Sequence, residues 1–254
     1  MLTVILGLVV ASQILPLMYP PQGGEALIAP IAGDPQSLEA TSTLFFYILF
    51  MTAVVLVLMR RKLMIFVKAA VFMSFFTGTF LATTSIFGDV GLLVTFLLLL
   101  LFLLRRTMVL THILLVLALS GVGALLGASL GVVPAIALVV LMSVYDFVAV
   151  FVTKHMVALA EGAKDGVPLM FSIPVGKRTL GLGAGDIAIP TAFTVSIYAA
   201  HGAGYALPTL FGGLLGLVSL FYYIMGRKNV TLPALPPIVA GLLIGYGLCV
   251  LILG

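Results

Sequence analysis

Long apolar runs closed by short polar breaks follow one another along almost the whole chain. A helix crosses a bilayer core in about 20 residues. By that length nine membrane-spanning segments are predicted, at 1–18, 41–59, 65–87, 90–104, 108–128, 132–153, 180–200, 206–225 and 236–253. Arg60-Arg61-Lys62 divides the second from the third, and Arg105-Arg106 the fourth from the fifth. Two gaps are longer. The first, 19–40, is rich in Pro and Gly and is expected to be irregular; the second, 154–179, holds the densest charge. No internal repeat or low-complexity segment stands out.

Composition turns this pattern into a fold class. Of 254 residues, 63% are hydrophobic and 8% charged, against about 25% charged in a soluble domain. We therefore expect an all-α polytopic membrane protein forming one membrane-embedded domain over 1–254. Helices one to six occupy about 1–153, a loop 154–179, and helices seven to nine about 180–253. The N-terminal run lacks a basic n-region and a small-residue cleavage site, so it reads as a retained span. Cys249, the single cysteine, lies in an apolar run and does not suggest redox chemistry.

Charge placement tests the count. Arg60, Arg61, Lys62, Lys68, Arg105, Arg106, Lys154, Lys164, Lys177, Arg178, Arg227 and Lys228 all fall after even-numbered segments or at the edges of those loops. Glu25, Asp34, Glu39 and Asp89 fall on the other side. The positive-inside rule puts the basic loops in the cytoplasm. Nine spans then predict a cytoplasmic N-terminus and an external C-terminus.

Glu161 and Asp165 belong to the charged loop, which leaves Asp146 and Asp186 inside apolar segments. A carboxylate there costs at least ~2.5–3.5 kcal/mol on insertion scales and marks function by default. Asp146 precedes Lys154, and Asp186 follows Arg178, by the same interval. Helical rise would put each roughly 12 Å from the cytoplasmic end of its helix. On antiparallel neighbours, equal depth lets the two carboxylates meet. Such a pair shares one proton, so one member can activate water while the other polarises a carbonyl. Tolerated structural carboxylates are the alternative.

The surroundings are read the same way. Gly181, Gly183 and Gly185 are expected to open the seventh helix beside Asp186, either for helix packing or for close approach of substrate. Pro190 removes a backbone hydrogen bond one turn later. Pro233, Pro236 and Pro237 prevent a regular start to the last helix. That irregular backbone either lines a wet, protein-enclosed space or is a simple helix start. Tyr145 supports the site or contacts substrate, or is a packing aromatic.

Tyr145-Asp146, Gly183-Ala184-Gly185-Asp186 and Pro233-Ala234-Leu235, in this order on segments six, seven and nine, resemble the presenilin and signal-peptide-peptidase family of intramembrane aspartyl proteases. The resemblance covers the whole chain. It implies that Asp146 and Asp186 are the catalytic pair, and that the Pro-Ala-Leu segment shapes the active site and positions substrate. Gly183, Gly185 and Tyr145 would support them. It implies transmembrane-segment substrates in the lipid bilayer, no cofactor and no metal, no nucleic acid, no obligatory subunits, and room for a homo-oligomer. The orientation looks like presenilin rather than signal peptide peptidase. The small size is similar to prokaryotic, archaeal members, which would place the chain in a prokaryotic cell membrane. The short loop 154–179 departs from presenilin, where a longer loop is cut during maturation, so autocleavage is not expected.

A proton- or cation-coupled transporter is the competing class, since intramembrane acids and broken helices mark those too. Other intramembrane proteases fit poorly. There is no His-Glu-x-x-His pattern. Ser120-Gly121 and His201 are the only remote serine-protease candidates, and His112 and His155 sit near basic loop ends.

Overall fold

A computed structural model describes residues 1–20, 28–31, 34–105, 107–153, 170–175, 178–225 and 232–253. The predicted charges at Glu25, Arg106, Lys154, Glu161, Lys164, Asp165, Lys177, Arg227 and Lys228, and His155, lie outside these residues. Within them are nine α-helices: α1 (Leu2–Met18), α2 (Leu38–Arg60), α3 (Met64–Phe87), α4 (Gly91–Leu104), α5 (Met108–Ala128), α6 (Val132–Val148), α7 (Gly185–His201), α8 (Ala203–Met225) and α9 (Leu235–Leu253). Each overlaps one predicted segment. Six helical stretches are long and apolar enough to cross a membrane, and the stretch Met64–Leu104 contains both α3 and α4. The protein is an integral, multi-pass membrane protein.

Local chemistry sets the helix ends. The Ser37 hydroxyl accepts from the Ala40 amide at 3.2 Å and starts α2, and Thr107 does the same for α5 through Leu110. Gly88, at φ 59°, turns the chain between α3 and α4, a backbone region that side-chain-bearing residues avoid.

Helix α7 is central. Every residue from Ile189 to Ile197 is buried, as expected of a helix surrounded on all sides. It packs against α1, α5, α6, α8 and α9. One apolar core joins α2, α6, α7 and α9 around Leu138, Phe193 and Leu242. A second joins α1, α3, α5 and α7, and a third joins α3, α4 and α5. Small residues bring the backbones together. A Cβ on Gly121 would strike the Gly78 carbonyl across the α3–α5 crossing, and one on Gly241 would strike the Gly212 carbonyl between α8 and α9.

One prediction is corrected. The seventh segment does not begin as helix at residue 180. Two strands precede it, β1 (Met170–Val175) and β2 (Arg178–Gly183), paired antiparallel with Phe171 opposite Leu182 and Met170 opposite Gly183. Gly181 and Gly183 are therefore strand residues. The reason lies in β2 itself. Leu180 and Leu182 alternate with Thr179, Gly181 and Gly183, a period of two that suits a strand, and glycine at every second position weakens a helix.

Candidate active site

Both membrane aspartates lie where regular helix stops or starts. Asp146 is in the last turn of α6, which runs on as a π-helical turn over Ala149–Thr153. Asp186 is in the first turn of α7, directly after β2. The equal-depth estimate from helical rise therefore does not describe how Asp186 is placed, because the residues from Arg178 to Gly183 are extended. The two acids are carried by α6 and α7, which pack against each other, with Asp146 bonded to the start of α9 and Asp186 to the end of β2.

Backbone amides hold each carboxylate. Asp146, only 3% exposed, accepts a hydrogen bond from the Leu235 amide at 3.1 Å. This is the first amide of α9, which would otherwise lack a partner. Proline has no N–H, so Pro233, Pro236 and Pro237 contribute none, and Ala234 and Leu235 are the donors left at this helix start. The Pro-Ala-Leu segment thus joins the site through its backbone, and all three of its residues are buried. The helix-start and enclosed-backbone readings turn out to be one arrangement, with Asp146 acting as the cap from another helix.

Asp186 is partly exposed. Its Oδ2 accepts from the Gly183 amide at 3.1 Å. A Cβ on Gly183 would lie 3.1 Å from that same oxygen. Gly183 therefore allows a close approach between backbone and carboxylate. Gly185 differs: a Cβ there would meet nothing within 4 Å, so helix packing does not explain it. Pro190 lacks the N–H that would bond the Asp186 carbonyl one turn earlier.

A cavity of about 50 Å³ opens beside Asp186, walled by Leu182, Ile187, Pro190, Leu217 and Leu242 among others. That exceeds the ~10–15 Å³ a water needs. Asp186 and Thr194 are the polar side chains in the wall, and Asp146 is not part of it.

Tyr145 packs on the core around α6. His201 contacts Tyr205 and Tyr246 at the far end of α7, away from both aspartates in sequence and helix position.

A family model described as "Signal-peptide peptidase, presenilin aspartyl protease" matches residues 6–254. The chain belongs to this family. Two solved structures, both described as a presenilin family intramembrane aspartate protease, share its architecture. One, in a C222 space group, has a TM-score of 0.66 at 24% identity and covers 97% of this chain and 92% of its own. The other, in a P2 space group, has a TM-score of 0.66 at 27% identity, covering 98% and 96%. No curated protein matches the sequence. Membership makes this presenilin-type chain a peptide-bond hydrolase of the membrane, and the transporter reading is not supported.

Proposed function

We propose that this family member is an intramembrane aspartic endopeptidase that cuts peptide bonds within transmembrane helices, with Asp146 and Asp186 as its catalytic pair. The observation that carries the reading is that two carboxylates, each hydrogen-bonded to a backbone amide, sit at the ends of two packed helices inside an apolar bundle. Amide donors fix the orientation of each carboxylate and leave its other oxygen for water or substrate. The ionised member takes a proton from water. The oxygen adds to the scissile carbonyl, whose oxygen is protonated by the other carboxyl. Collapse of the tetrahedral adduct breaks the C–N bond as the leaving nitrogen takes a proton.

A substrate helix must unwind before its peptide bond is reachable. The hairpin β1–β2 lies directly before Asp186, and a free strand edge can pair with an extended segment. Nine spans, a cytoplasmic N-terminus, an external C-terminus and a prokaryotic cell membrane complete the proposal. The spans and their orientation rest on the segregation of basic residues. The proposal includes no obligatory subunit.

Purified protein incubated with a panel of transmembrane peptides and read by mass spectrometry tests the assignment. Wild type yields internal cuts; Asp146→Ala and Asp186→Ala yield none while keeping their helical circular dichroism. Cleavage that persists in either folded variant overturns the dyad.

A further inference from the structure

The hairpin that approaches Asp186 has a second attachment, from β1 to α5. The His112 ring of α5 stacks on the Phe171 ring of β1, with centroids 5.6 Å apart and planes 23° from parallel. Phe171 also packs against two cores at once, that of α3, α4 and α5 and that of α2, α6, α7 and α9. Across the hairpin it faces Leu182, which is 7% exposed and lines the cavity beside Asp186. The next residue, Gly183, donates its amide to the Asp186 carboxylate. A continuous set of contacts therefore runs from α5 through both strands to one aspartate.

We propose that His112 and Phe171 form a register clamp that fixes which substrate peptide bond meets the aspartates. The proposal rests on the proteolytic reading above. A substrate strand paired to the hairpin takes its register from the hairpin, so the bond presented depends on where the hairpin sits relative to Asp146 and Asp186. One step along a strand is about 3.3 Å and reverses the face of every side chain. The Gly183 amide anchors β2 at the aspartate. The buried Leu182 and the Phe171 ring seat the hairpin on the cores, and the ring stack ties its other strand to α5. His112 acts on position, not on the reacting atoms, and its function here is that of a flat ring.

The test is the distribution of cuts in a single transmembrane peptide, read by mass spectrometry in wild type, His112→Ala, His112→Phe and Phe171→Ala. Loss of the stack in His112→Ala is expected to raise the ratio of neighbouring cuts to the main cut roughly fivefold or more, as loss of an aromatic pair permits. Total turnover should stay within about threefold, because the aspartates and their amides are untouched. His112→Phe restores the wild-type distribution, and Phe171→Ala spreads it as His112→Ala does. A merely structural role would lower the melting temperature without moving the cut sites. An unchanged distribution in His112→Ala overturns the clamp, as does failure of His112→Phe to restore it, or complete loss of cleavage in a folded His112→Ala. His112→Gln, polar and without a stacking ring of this kind, carries the same expectation should the alanine variant not fold. Absence of any cleavage by wild type is a different failure and refutes the proteolytic reading itself.

Discussion

The Asp146 carboxylate caps a helix to which it does not belong, accepting the Leu235 amide at 3.1 Å across 89 positions of sequence. Helix starts usually recruit a side chain from their own N-cap. Here the N-cap is Ala234, whose side chain has no acceptor, and Leu235 is followed by Pro236 and Pro237, which have no donor. A carboxylate costly in the membrane and a helix start lacking a cap satisfy each other.

Replacing Leu235 by proline isolates this bond. Proline is well tolerated at the first helical position, so the substitution removes the donor with little damage to α9. It also removes a buried leucine, and Leu235→Ala controls for that. We expect kcat/KM of Leu235→Pro to fall at least about tenfold below that of Leu235→Ala, equivalent to about 1.4 kcal/mol and within the cost of orphaning a buried acceptor. Equal activities in a peptide-cleavage assay would show that the amide does not matter.

The two glycines before Asp186 should separate. Gly183→Ala puts a methyl group 3.1 Å from the Asp186 oxygen, and the carboxylate must move. A loss of roughly tenfold in kcat is expected, since small misplacements of a reacting group are expensive. Gly185→Ala meets nothing within 4 Å and should gain up to about 1 kcal/mol of stability from better helix propensity. If Gly185→Ala loses activity while its melting temperature rises, the open space there belongs to substrate. Steady-state kinetics beside thermal unfolding in detergent reads both.

How much of this was legible depends on the length scale of each signal. Long apolar runs are visible in sequence, so each of the nine segments overlaps an α-helix, six helical stretches being long and apolar enough to cross a membrane. Asp146 and Asp186 stood out because so few charges share their surroundings. The hairpin was missed, although Phe171, Ile173 and Val175, and then Leu180 and Leu182, recur at a period of two. Runs that short are ambiguous between strand and helix, and the glycines read equally well as a helix-packing motif. The amide caps were not legible at all. A backbone donor has no residue identity, and the proline spacing that isolates Ala234 and Leu235 signifies only once Asp146 is known to face them.

Tyr145 adjoins Asp146 in sequence and packs on the core around α6. Tyr145→Phe keeps the ring and removes only the hydroxyl, so it should keep kcat within about threefold and cost about 0.5–1.5 kcal/mol of stability, the net value of a typical hydrogen bond. A loss of kcat well beyond this, with stability unchanged, would instead put the hydroxyl in the reaction.

The position of Leu235 depends on the α8–α9 pair. Gly212 and Gly241 face each other there, and a Cβ on Gly241 would also lie 2.8 Å from the Gly212 carbonyl carbon. Backbone, unlike a flexible side chain, does not give way cheaply, so Gly241→Ala must push α9 outward. Overpacking of this kind costs about 1–3 kcal/mol, more than the ~1 kcal/mol that alanine gains over glycine in a helix. A Cβ on Gly247, later in α9, would meet nothing within 4 Å, and Gly247→Ala should stabilise. Because the outward shift also draws the Leu235 amide from Asp146, Gly241→Ala should lower kcat/KM as well as melting temperature, whereas Gly247→Ala raises the second and leaves the first unchanged. Identical behaviour of the two variants would mean that α9 is not held to the aspartate through its glycine contact with α8.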